Sequence, residues 1–153
     1  MIRKAQLHDV RQIHALVNGF AERGEMLALS LSELYDNVRD FAVATANDAD
    51  GERIVGCCAL RVFWEDLAEI RSLAVAEGSQ RRGLGRALVE ICLEEARALG
   101  VPRVFALTYL PEFFSPMGFK QLGRDELPHK VWVDCLRCPK FPECDEIPVA
   151  VDL

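Results

Sequence analysis

The sequence predicts a mixed α/β (α+β) sheet domain, and three observations carry that prediction. Short apolar runs rich in β-branched residues recur along the chain: FAVAT, IVGCCALRV, AEIRSLAV and VFALT. Stretches with apolar residues at helical spacing stand before, between and after them. The chain has 153 residues, 50% of them hydrophobic and 27% charged, the balance of a globular protein with a real core. One domain over residues 1–153 is expected, with a mixed central sheet of about six to seven strands flanked by about four helices.

Each element has its own signal. The opening IRKA alternates and suits a short strand; Asp9 and Gln12 are spaced for a capping box ahead of Val10, Ile13, Val17 and Phe20, a helix running towards Gly24. Ser30 and Glu33 are spaced for a second box, which starts a short helix in LSLSELYDNV. FAVAT and IVGCCALRV flank NDADG, whose Asn, Asp and Gly suit a turn, so the two form a hairpin, and AEIRSLAV pairs with its second strand. Leu84, Ala87, Leu88, Ile91, Cys92, Ala96 and Leu99 make one buried face of a long helix that Gly100 and Pro102 stop. VFALT is the next strand, EFFS a short helix and GFKQL a strand. EIPVAVDL is the last strand, with Pro148 at a sheet edge or at the strand's start.

Several function classes are disfavoured by composition. A formal net charge of −6 argues against nonspecific nucleic-acid binding, which needs a basic surface. No apolar run approaches the roughly 20 residues that span a bilayer, and MIRKAQLHDV has no apolar core of a secretion signal. No membrane association and a cytoplasmic location are therefore expected. There the cysteines are expected to be thiols, with Cys57, Cys58 and Cys92 in the core. Cys135, Cys138 and Cys144 form C-x-x-C-x5-C, to which His129, Asp134, Asp145 or Cys57 and Cys58 could add a fourth zinc ligand. A structural zinc site normally shows two close pairs, so a redox-sensitive thiol cluster without metal is the expectation.

The segment SQRRGLGR, residues 79–86, lies between strand AEIRSLAV and the long helix. A glycine-containing loop there presents unpaired backbone N–H groups at the positive end of a helix, an arrangement that suits an anion. Gly83 and Gly85 let the backbone approach a bulky ligand, and Arg81, Arg82 or Arg86 can cover its outer oxygens, which fits a diphosphate. A dinucleotide fingerprint fails because Leu88 stands three residues after Gly85, and no Gly-Lys-Ser/Thr loop is present.

The run Gln80-Arg81-Arg82-Gly83-Leu84-Gly85 resembles the Q/R-x-x-G-x-G/A acyl-CoA loop of the GNAT superfamily of N-acetyltransferases, and it follows LAV and precedes an amphipathic helix as in that family. FFSPMGF, residues 113–119, resembles the family's F-Y-x-x-x-G-F segment, with Phe114 where a tyrosine usually stands. The resemblance implies acetyl-CoA as donor, its pyrophosphate on the N–H groups of Arg81, Arg82, Gly83, Leu84, Gly85 and Arg86. It also implies pantetheine paired along Leu73, Ala74 and Val75, with a backbone N–H near Leu73 or Ala74 facing the thioester carbonyl. SLSELYDNVRDF, AEIRSLAV and LPHKVWVDCLRCPKFPECDEI look most like short stand-alone enzymes of the bacterial N-acetylglutamate synthase type, the entry step of arginine biosynthesis. In that subgroup an arginine stands where this chain has Leu29.

Amine acetylation needs a proton acceptor beside the incoming ammonium. Glu69 is the first candidate, on one face of its strand with Arg71, and His129 is the second. With Phe114 in the tyrosine's place, coenzyme A leaves as thiolate, which a thiol pKa of about 8.5 permits, or Tyr109 or Ser115 supplies the proton. A dicarboxylate acceptor calls for cationic anchors, for which Arg71 and Lys130 are the candidates. The expected partner is a small-molecule amine, with a second copy of the chain as a reasonable further one given a sheet edge. The alternatives are another amine or a protein N-terminus as acceptor, or an acetyl-CoA or redox sensor without turnover.

Overall fold

The computed structural model describes residues 1–80, 82–129, 131–132 and 146–153. Arg81, Lys130, Cys135, Cys138 and Cys144 lie outside the described residues, so the expectations attached to them do too. Among the described residues seven strands and four complete α-helices follow in this order: β1 (Ile2–Lys4), α1 (Val10–Glu22), α2 (Leu31–Asp36), β2 (Phe41–Asp48), β3 (Gly51–Trp64), β4 (Leu67–Val75), α3 (Leu84–Leu99), β5 (Arg103–Thr108), α4 (Pro111–Phe114), β6 (Lys120–Gln121) and β7 (Ile147–Asp152). The sheet order is β1-β2-β3-β4-β5-β7-β6, with β4 and β5 parallel and the pairs β1–β2, β2–β3, β5–β7 and β6–β7 antiparallel. The mixed sheet and four helices are those expected from the sequence.

The chain forms two compact units, Met1–Arg61 with Ile70–Glu95, and Val62–Glu69 with Ala96–Leu153. In the first, the helical period of α1 puts Val10, Ile13 and Val17 at 0–1% exposure. They join Leu34 of α2 and Phe41, Val43, Ile54, Cys57 and Ala59 of the hairpin in one core. The hairpin turns at Ala49 and Asp50, where the Asp48 carboxylate accepts from the Asp50 N–H at 2.9 Å, and its register runs from Asp48↔Gly51 to Phe41↔Ala59.

Of the two capping boxes, Ser30 caps α2 by accepting from the Glu33 N–H at 3.0 Å, whereas the Asp9–Gln12 box does not form. Asp9 turns back to accept from the Gln6 N–H at 2.8 Å and, at 2.7 and 3.0 Å, from the guanidinium of Arg3. Gln12 is taken by the Ile54 N–H at 2.9 Å. A fork-to-fork ion pair and a strand N–H outcompete the local cap. Burial works to raise the Asp9 pKa, but Arg3 and the Gln6 N–H outweigh it and hold the carboxyl below its ordinary range.

In α3 the buried residues are Leu88, Val89, Cys92, Leu93 and Ala96. Leu99, expected on that face, is 60% exposed, because the last turn before Gly100 (φ +82°) is left uncovered.

In the second unit Phe63, Leu67, Phe105, Leu127, Val131 and Ala150 form the core, with the Phe63 and Phe105 rings 5.5 Å apart. β5 and β7 pair from Arg103↔Asp152 to Thr108↔Ile147, and the Arg103 Nε lies 2.7 Å from the Asp152 carboxylate. Pro148 stands second in β7, which lies between β5 and β6, so it takes the strand's start and not a sheet edge. Pro111 opens α4 in the first turn, where no N–H is required, and Gly118 (φ +90°) turns the chain into β6. No helix among the described residues is long and apolar enough to cross a membrane.

Candidate active site

The candidate residues lie on β4, whose Leu67–Glu69 belong to the second unit and Ile70–Val75 to the first, and at the start of α3 in the first. Leu67, Ala68, Glu69 and Ile70 are all buried, with Glu69 only 7% exposed, a depth at which a carboxylate is seldom placed without a task or a partner. Ala68 and Glu69 lie opposite Val104 and Phe105 of β5. Beyond them burial falls: Arg71, Ser72 and Leu73 are all half-buried, Ala74 is buried and Val75 is half-buried. The change coincides with Ser72 at φ +53°, in the left-handed region that costs an L residue about 1–2 kcal/mol.

β3 is shaped for this kink. Gly56 carries no side chain where a Cβ would stand 3.3 Å from the Ala74 carbonyl and 3.1 Å from Leu88 Cδ1. Its neighbour Cys57 donates from Sγ to the Ser72 carbonyl at 3.3 Å. Burial pushes the Cys57 thiol up to about 12, so the sulfur keeps its proton at any working pH. Cys58 and Cys92 are likewise buried free thiols; the contact with the Cys92 thiol and burial both push Cys58 up. These three cysteines are core residues, as the sequence indicated.

After β4 the Ala76 N–H bonds to the Val55 carbonyl at 2.8 Å and the chain makes a short 3₁₀ turn over Glu77–Ser79. The Gln80 side-chain amide returns to the Val75 carbonyl at 3.0 Å, and Arg23 at the end of α1 pairs with Glu77. Gly83 then adopts φ +74° with open space around its Cα, and its carbonyl accepts from the Ala87 N–H at 3.0 Å. It therefore caps α3 with no side chain, and the N–H groups of Leu84, Gly85 and Arg86 have no intrahelical acceptor. The expected reason for Gly83 was close approach of a ligand; its left-handed φ is a second reason for glycine there. Arg82 is exposed, and the Arg86 Nε donates to Glu90 at 2.9 Å one turn along.

The other sequence candidates stand elsewhere. His129 is exposed after Pro128, Tyr109 is half-buried and Ser115 exposed. Phe114 is 4% exposed and packs edge-on against Phe113 and Phe119, with both centroid separations 5.0 Å, so an aromatic cluster fills the tyrosine's place. Leu29 packs partly on the first core, and Asn18 grips its backbone: Oδ1 accepts from the Leu29 N–H at 3.1 Å and Nδ2 donates to its carbonyl at 3.0 Å. Sequence reasoning missed Gly56, Cys57 and Ser72. An isolated glycine inside an apolar strand is a signal of close backbone approach and was available at Gly56.

The acetyltransferase (GNAT) family matches over residues 7–119. An uncharacterized N-acetyltransferase of Chlorobaculum tepidum is 42% identical over 146 residues, covering 95% of this chain and 92% of that protein. An amino-acid acetyltransferase of Mycobacterium tuberculosis is 41% identical over 122 residues, covering 80% of this chain and 69% of that protein. Among solved structures, N-acetylglutamate synthase from Neisseria gonorrhoeae, complexed with coenzyme A and N-acetyl-glutamate, is similar at a TM-score of 0.88 and 29% identity. The match covers 100% of this chain and 35% of that one.

Proposed function

This chain belongs to the acetyltransferase (GNAT) family, and we propose that it transfers an acetyl group from acetyl-CoA to the α-amine of an amino acid, with L-glutamate the first acceptor. The observation that carries this reading is the run from the kink at Ser72 to the glycine-capped start of α3. Similarity to proteins named amino-acid acetyltransferases narrows the acceptor class. Residues 1–153 are read as one catalytic domain, since the family match takes in both β4–α3 and the Phe113–Phe119 segment.

In this reading the helix N-terminal N–H groups of Leu84, Gly85 and Arg86 receive the donor's diphosphate, with Arg82 over it. The pantetheine runs along Leu73, Ala74 and Val75, and a β4 N–H faces the thioester carbonyl. As the amine adds to that carbonyl, its oxygen becomes an oxyanion, which a preorganised N–H stabilises by about 3 kcal/mol. Glu69, directly or through water, takes the proton the ammonium must lose before attack. Collapse of the adduct expels coenzyme A as thiolate, which suits a chain with Phe114 packed where a tyrosine would donate. Arg71 holds the acceptor's carboxylate.

The test is release of coenzyme A, read by chromatography so that the protein's own thiols do not interfere, with L-glutamate and then other amino acids. Turnover on glutamate supports the full reading; turnover only on other amines removes the glutamate assignment, and none on any amine overturns acetyl transfer.

A further inference from the structure

Holding Ser72 in the left-handed region takes contacts that over-determine it. The thiol of Cys57 supplies one, donating to the Ser72 carbonyl at 3.3 Å. Cys57 is 0% exposed, and Gly56 leaves room for the Ala74 carbonyl beside it.

We propose that Cys57 is a positioning residue for acetyl transfer: by donating to the Ser72 carbonyl it fixes the β4 kink from which the Leu73 or Ala74 N–H faces the thioester carbonyl. This rests on the acetyl-transfer reading. Cys57→Ala removes that hydrogen bond. Cys57→Ser keeps a donor and an acceptor on a shorter arm, and glycine at position 72 holds a positive φ without the steric cost.

The experiment measures kcat and the acetyl-CoA KM, together with hydrogen exchange of the Ser72–Val75 amides in the free protein, for wild type, C57A, C57S and the double variant C57A/S72G. The expected result for C57A is a kcat lower by about tenfold or more with KM nearly unchanged, and exchange of the Ser72–Val75 amides faster by about tenfold. C57S and C57A/S72G recover much of both. Should C57A not fold, Cys57→Val is compared with C57S in its place. Unchanged exchange in C57A, or a kcat loss that neither C57S nor the glycine restores, overturns the proposal, since a mere cavity is not repaired by glycine at position 72. A wild-type protein that acetylates no amine overturns the underlying reading instead, and the exchange data, which need no acceptor, still decide whether Cys57 holds the kink.

Discussion

From Leu67 to Ile70 every residue of β4 is buried and the strand lies against β5, whereas from Arg71 to Val75 only Ala74 is buried and the backbone turns left-handed at Ser72. Both stretches come from one apolar run, AEIRSLAV, that reads as uniform. The difference lies in what each stretch meets. The first packs into a core with Phe63 and Phe105 near its start, and the second is received by a glycine and a thiol of β3. A single strand thereby has a regular, buried half and an irregular, half-buried one, and substitutions should separate the two.

The largest expected effect is on chemistry without loss of fold. Glu69→Gln should lower kcat by about 10²–10⁴ while the urea midpoint moves little, since a general base contributes on that scale; an unchanged kcat would place the base elsewhere, with His129 next to be tried. Phe105→Ala is the converse. Removing a fully buried ring beside the regular half should cost about 3–5 kcal/mol in urea unfolding, and a loss below about 1 kcal/mol would show that this half is not the frame. Gly83→Val acts where the irregular half leads: a β-branched residue at φ +74° disturbs the loop, and calorimetry should find acetyl-CoA bound at least about tenfold more weakly, near 1.4 kcal/mol, in a folded protein. The smallest effect belongs to Ser72→Gly. Relief of the left-handed strain and the added unfolded-state freedom of glycine nearly cancel, so thermal unfolding should register a change within about 1 kcal/mol. A large destabilisation would mean that the serine side chain, and not its backbone, secures the kink.

The hairpin, the long α3 helix and the Ser30 cap were legible because each is decided by neighbours in sequence: alternation, helical period and a hydroxyl three residues from its N–H. The glycine that precedes α3 was legible for the same reason. What could not be read depends on distant partners. The Asp9–Gln12 box is defeated by Arg3 and by the Ile54 N–H, forty-two residues from Gln12. The kink at Ser72 has no local signature, since serine carries no preference for a positive φ and the contact that holds it comes from Cys57, fifteen residues earlier. Leu99 keeps perfect helical phase and is exposed all the same, because phase says which face a residue takes and not how far the covering layer extends.

The grip of Asn18 on both backbone groups of Leu29 separates the route of the loop between α1 and α2 from the identity of the side chain it displays. Because the amide reads only peptide atoms, the path of the loop and the packing of the Leu29 side chain on the first core are secured by separate contacts.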